Sequence, residues 1–167
     1  MKVIGILAKP RFPNIKPTLT QLVGWLREHG KDVVLDPKAA TVIGASAVRY
    51  KGLIADKADM VIVLGGDGTM LNAARLVEKR SVPILGINMG GLGFLTEVGG
   101  EHLYATLERV FAREYALEER LMLRVRLDRR GKPFTEATVL NDVVVTKGEL
   151  SRMIAMTIAI EIGRAHV

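Results

Sequence analysis

An unbroken apolar run, MVIVL at residues 60–64, enters GGDGT at 65–69 and leaves through MLNAARLVEKR. A strand that is apolar at every position needs cover on both faces, and flanking helices supply it in a parallel sheet. The same alternation recurs around it. KVIGILA (2–8) reads as a short buried strand, TLTQLVGWLREHG (18–30) as a helix with Leu19, Leu22, Val23 and Leu26 on one side and Gly30 as its stop, and KDVVLD (31–36) as a second strand. We expect a helix over Ala45–Ile54, a strand in VPILGIN (82–88) and a helix in HLYATLERVFARE (102–114), with Leu103, Leu107, Val110 and Phe111 on one face. Strand and helix alternate to about Glu114, which predicts a Rossmann-like open parallel α/β sheet over residues 1–118.

After about Glu118 the pattern changes. LMLRVRLD (121–128), EATVLNDVVVTKG (136–148) and MIAMTIAI (153–160) are strand-like runs without helices between them, joined by turn material such as Arg130-Gly131-Lys132-Pro133. Residues 119–160 are thus expected to be the first strands of an incomplete all-β domain, because three strands close neither a barrel nor a sandwich.

Composition narrows the function classes. The chain has 167 residues, 49% of them hydrophobic, and a net charge of +6. No apolar run approaches the ~20 residues that cross a bilayer, so no membrane role is expected. Met1-Lys2 leads straight into a strand too short for a signal-peptide core. The absence of cysteine removes any disulfide framework and fits a cytoplasmic protein. His29, His102 and His166 lie far apart and lack metal-ligand spacing, so no residue-held metal site is expected. The basic residues are scattered, as in RLMLRVRLDRRGK, rather than gathered as a nucleic-acid face would require. A solvated basic surface is the expected reading, with a nucleotide's phosphates as the anion it would serve.

The glycine loop carries the chemistry. GGDGT lacks the Gly-Lys-Ser/Thr ending of a P-loop, and its glycines are not spaced as in the dinucleotide fingerprint. Gly65, Gly66 and Gly68 still permit close backbone approach, and Thr69 is placed to cap a helix whose free N–H groups attract an anion. Asp67 is the anomaly, since its carboxylate repels phosphate. It is tolerable if a metal bridges it to phosphate, if its target is a hydroxyl for which it acts as base or acceptor, or if it merely caps a turn. GINMGGLGFLTEV (86–98) is a second glycine-rich exit from a strand. Its Phe94 could offer a ring to a base, although taken alone it reads more readily as core. In LNDVVV (140–145), Asn141 and Asp142 interrupt an apolar strand. A bulge or edge excuses them structurally, and a ligand hydroxyl or amide explains them better.

GGDGT at 65–69, NMGGLGFLTE at 88–97 and LNDVVV at 140–145 together resemble the bacterial NAD kinases, which phosphorylate the adenosine 2′-hydroxyl of NAD. The resemblance covers Met1 to about Ile160. GGDGT alone is less specific, being shared with lipid kinases and, in similar form, with phosphofructokinases. The resemblance implies that Asp67 accepts the proton of the ribose hydroxyl and that Asp67 and Gly68 contact NAD. Asn141 and Asp142 would hold a ribose, and Phe94 would lie near the adenine. Arg152 falls where the family often has a basic or His contact, and Asn72 where many members have a basic residue. It further implies ATP or polyphosphate as donor, a divalent cation, commonly Mg²⁺, and a homo-oligomeric parent protein. Two alternatives remain open, a lipid or sugar kinase sharing GGDGT and a nucleotide-binding fragment without turnover.

The family continues with Asp-Gly-Leu and Thr-Pro-Thr-Gly-Ser-Thr-Ala-Tyr segments that this sequence lacks. EIGRAHV at 161–167 back-translates onto a short-read sequencing adapter and is expected to be a non-native tail. The chain as given is accordingly expected to be an incomplete, inactive fragment.

Overall fold

Met60, Ile62 and Leu64 point to one side of the strand predicted at 60–65, and Val61 and Val63 to the other; all five are buried. That strand organises the molecule. The structure is a computed structural model describing residues 1–46, 52–91, 93–140, 142–144, 157–160 and 163–166. Its elements run β1 (Val3–Ala8), α1 (Ile15–Glu28), β2 (Asp32–Leu35), α2 (Pro37–Ile43), α3 (Gly52–Lys57), β3 (Met60–Gly65), α4 (Asp67–Val77), β4 (Ile84–Asn88), β5 (Val98–Gly99), a 3-10 turn (Gly100–His102) and α5 (Leu103–Phe111). β6 (Leu123–Arg129), β7 (Lys132–Val139), β8 (Thr157–Ile160) and β9 (Gly163–His166) follow.

The first five strands form one sheet in the order β2-β1-β3-β4-β5, every pair parallel. Leu19, Leu22 and Leu26 of α1 pack with Leu103 and Leu107 of α5 against Ile4, Ile6, Ile62 and Leu64. On the opposite face Ile54 of α3 and Ala73 and Val77 of α4 cover Leu7, Val61 and Val63. The expected open parallel α/β sheet is therefore present, its five strands lying between Val3 and Gly99. The chain steps from β1 outward to β2, then returns past β1 to β3. That reversal leaves a crevice beyond the carboxyl ends of β1 and β3, where ligands of open α/β sheets bind.

Of the helix expected over Ala45–Ile54, the last three residues lie in α3, and a further helix, α2, precedes the expected range. Asp36 caps α2, its side chain accepting the Ala39 N–H at 2.8 Å, and Pro37 opens the helix. Gly44 then ends it at φ 66°, a left-handed position suited to glycine. Ala45 and Ser46 lie outside any helix, and residues 47–51 lie outside the described residues.

β6 and β7 form an antiparallel hairpin pairing Leu123 with Val139 and Val125 with Ala137. Its turn uses Arg130 and Gly131, both at positive φ, as a tight hairpin with matching twist demands. β8 and β9 form a second antiparallel pair. The strand expected through residues 136–148 ends instead at Val139. Asp142, Val143 and Val144 are exposed and irregular, so Asp142 does not interrupt a buried strand.

Candidate functional site

The junction between β3 and α4 is tight. Gly65 ends the strand, and a Cβ there would stand 2.8 Å from the Cβ of Thr69, so glycine lets the first helical turn fold back against the strand. Gly66 occupies the N-cap and Asp67 the first helical position. Thr69 therefore lies inside the first turn rather than capping it, which corrects the expectation for that residue. The negative side chain of Asp67 sits at the positive end of the helix dipole.

Beside this junction a cleft of about 420 Å³ opens between the ends of β1 and β3. Leu7, Ala8, Lys9 and Pro10 line one side, and Gly66, Gly68, Thr69 and Asn72 another. Asp36 and Lys38, from the start of α2, complete it with Asp67. The loop expected to hold phosphate thus faces the crevice at the strand-order reversal. Two lysines that went unremarked in the sequence, Lys9 and Lys38, line the same cleft. Asn72 reaches the cleft as an amide.

Asp67 is bound from its other side. Its Oδ2 accepts the Phe94 N–H at 2.9 Å, and its Oδ1 accepts the Leu95 N–H at 2.9 Å and the Thr96 hydroxyl at 3.4 Å. The carboxylate in the first glycine loop thereby fastens the second. The Leu95 N–H, followed by that of Phe94, holds its carboxyl below the ordinary value of 3.8, against an opposing contribution from desolvation. At neutral pH the group is an anion. Each carboxylate oxygen can accept about two hydrogen bonds. Among the described residues Oδ1 accepts two of these bonds and Oδ2 one, with the Thr96 N–H a further, lesser influence on the carboxylate.

The second loop has its own hub. Asn88, at the end of β4, donates from Nδ2 to the Gly91 carbonyl at 2.8 Å and to the Thr96 hydroxyl oxygen at 3.0 Å. Its Oδ1 accepts the Gly90 N–H at 2.9 Å. Both Asn88 and Thr96 are buried. Neither stood out in the sequence as a site residue; an Asn ending an apolar strand just before a glycine loop was the available signal.

The sequence model of the ATP-NAD kinase N-terminal domain matches residues 4–115, which include this junction and both glycine loops. The chain belongs to the ATP-NAD kinase family. It is 44% identical over 162 residues to an NAD kinase of Syntrophotalea carbinolica, covering 96% of this chain and 57% of that protein. It is 46% identical over 154 residues to an NAD kinase of Geotalea daltonii, covering 92% of this chain and 54% of that protein. The chain spans about half the length of the curated relatives it matches. Its fold also matches the crystal structure of yeast NADH kinase complexed with NADH, at a TM-score of 0.68 and 19% identity, over 83% of this chain and 46% of that one.

Of the residues that the family resemblance singles out, the structure brings together Asp67, Gly68 and Asn72 along the cleft. Phe94 joins Asp67 through its backbone, while the residue as a whole is 81% exposed. That exposure overturns the reading of Phe94 as plain core. Asp142 is exposed after β7. Asn141 and Arg152 lie outside the described residues. Among the described residues no three His, Cys, Asp or Glu side chains gather as metal ligands, and no helix is long and apolar enough to cross a membrane.

Proposed function

We propose that the complete protein is a cytoplasmic, homo-oligomeric NAD kinase, transferring a phosphoryl group from ATP or polyphosphate to the adenosine 2′-hydroxyl of NAD. The observation that carries this reading is the Asp67 carboxylate, held anionic within the glycine loop, whose Oδ2 accepts one hydrogen bond, from the Phe94 N–H, among the described residues. In this reading Oδ2 accepts a hydrogen bond from the ribose hydroxyl, orients its oxygen toward the phosphorus and takes its proton as the new O–P bond forms and the bond from phosphorus to the donor's leaving phosphate oxygen breaks. A strong base is unnecessary, because phosphoryl transfer passes through a loose transition state and relies on positioning and charge stabilisation. A low-pKa carboxylate suits that role. Phe94 supplies an exposed ring for the adenine, and Asn141, Asp142 and Arg152 are assigned to the dinucleotide by family resemblance alone. Lys9, Lys38 and the Gly66–Thr69 backbone offer positive potential to the donor's phosphates.

A Mg²⁺ ion would be carried in chiefly on the donor's phosphates and water, as Mg²⁺ commonly is; Asp36 lines the cleft beside Asp67, whose Oδ2 is kept for the hydroxyl. When bound, the ion supplies neutralisation of phosphate charge.

The test is an NADP-formation assay on the gene product at the full length of its curated relatives, with NAD, Mg²⁺ and either ATP or polyphosphate. NADP formation, with no phosphorylation of diacylglycerol, is expected. Calorimetric NAD binding without turnover would favour a binding module, and diacylglycerol phosphorylation a lipid kinase.

A further inference from the structure

Thr96 is fixed by two glycines. A Cβ on Gly86 would come within 3.0 Å of the Thr96 Cγ2, and a Cβ on Gly93 within 2.6 Å of its Oγ1. With its methyl seated over Gly86, the β-branched side chain has little rotamer freedom, and its hydroxyl is directed toward Asn88 and Asp67. The hydroxyl has one proton to give and receives one from Asn88 Nδ2, so its own proton goes to Asp67 Oδ1. Asn88 in turn spends both Nδ2 protons and an Oδ1 lone pair on the loop. A flipped amide would set its oxygen against the Gly91 carbonyl, so its orientation is determined. The order of contacts is therefore Asn88 to Thr96 to Asp67, with two buried members and one facing the cleft.

We infer that Asn88 and Thr96 are positioning residues that hold the 88–96 loop so that the Phe94 and Leu95 N–H groups and the Thr96 hydroxyl together orient Asp67, leaving its Oδ2 open to the acceptor hydroxyl. The inference deepens the kinase reading above and rests on it for the identity of that hydroxyl. The relay commits Oδ1 to the protein and turns Oδ2, which also accepts the Phe94 N–H, toward substrate. Its loss lets the carboxylate turn and the loop amides separate from it, while the sheet and α4 stay in place.

Two measurements test this. In residues 1–167, hydrogen exchange of the Phe94 and Leu95 amides is followed by NMR in the wild type and in Thr96→Val, Thr96→Ser and Asn88→Ala. Thr96→Val and Asn88→Ala should speed both amides about tenfold or more as the loop opens locally, and Thr96→Ser should match wild type. In the full-length enzyme Thr96→Val should lower kcat about tenfold, the scale of one lost hydrogen bond to a charged group, with KM for NAD within about twofold. Thr96→Ser should restore kcat. Thr96→Val keeps the shape of the side chain, so it remains informative should Asn88→Ala fail to fold. Native exchange in Thr96→Val, or fast exchange with unchanged kcat, overturns the inference even if Tm falls. A wild-type enzyme that forms no NADP would defeat the kinase reading, and the exchange experiment would still decide the relay.

Discussion

Gly93 has no room for a side chain because Asp67 Oδ1 fills the space where its Cβ would stand. The two residues lie on different glycine loops, and the carboxylate reaches across to the backbone that follows Gly93. Gly93→Ala should therefore destabilise the chain by about 1–3 kcal/mol, as overpacking does. In an Asp67→Ala background the same change should cost less, giving a coupling of about 0.5–3 kcal/mol in a double-mutant cycle. Urea unfolding of the four variants measures it. Additive effects would show that the clash is relieved elsewhere.

Asp67→Asn keeps one acceptor oxygen but replaces the other with a donor, which faces either a loop N–H or the substrate hydroxyl. The full-length variant should keep its fold and much of its NAD affinity while losing about 10²–10⁴-fold in kcat, the range for a positioned general base. Turnover within a few-fold of wild type would remove Asp67 from that role.

The acid limb of stability follows from two carboxylates. Asp67 is held low chiefly by the Leu95 and Phe94 N–H groups, and Asp59 by those of Val3 and Lys2 at the start of β1. Each has a folded pKa below its unfolded one, so the folded state binds fewer protons as the pH falls between them. Their stabilisation is complete above the ordinary value of 3.8 and is lost as pH falls through the folded value. Tm measured from pH 6 downward should drop on entering this window. Asp59→Asn and Asp67→Asn should each lower Tm at pH 6 and flatten that drop; an unchanged slope in both would refute the assignment.

The parallel sheet was legible because apolar strands and one-sided helices leave a periodic trace, clearest in MVIVL and in Leu19, Leu22 and Leu26. Other features depend on tertiary contacts. The Asp36-Pro37 start and Gly44 stop of α2 were present as signals, but a cap beside a strand end is easily assigned to the strand. Phe94 looked like core because its type is apolar, whereas the hydrogen bond from its N–H to Asp67 belongs to a loop that leaves the ring exposed. The partners of Asn88 and Thr96 come from the folding of the second loop, which no local spacing encodes.

Lys9 and Lys38 stand in the wall of the cleft that holds Gly66 and Gly68. If that cleft receives the donor's phosphates, neutralising either lysine removes a charge-assisted contact. Lys9→Met and Lys38→Met should each raise KM for the phosphoryl donor about tenfold, with KM for NAD within about twofold. Initial rates with each substrate varied in turn measure the split. A larger rise in KM for NAD would place the dinucleotide, rather than the donor, against these lysines.

The hairpin of β6 and β7 presents Leu123 at 56%, Leu127 at 47% and Phe134 at 61% exposure, with Leu121 at 91% just before it. Leu123, Val125 and Leu127 alternate along β6 and so share one face. An isolated two-stranded hairpin is marginal in water, and an uncovered apolar face invites another chain. Residues 1–167 should therefore self-associate at roughly 10–100 μM. Leu123→Thr with Leu127→Thr keeps strand propensity while removing the apolar surface. Because the buried core lies in the parallel sheet and its helices, this double variant should shift toward monomer in size-exclusion chromatography with light scattering while Tm stays within a few degrees. A wild-type chain that stays monomeric across this concentration range would show that the exposed face does not drive association.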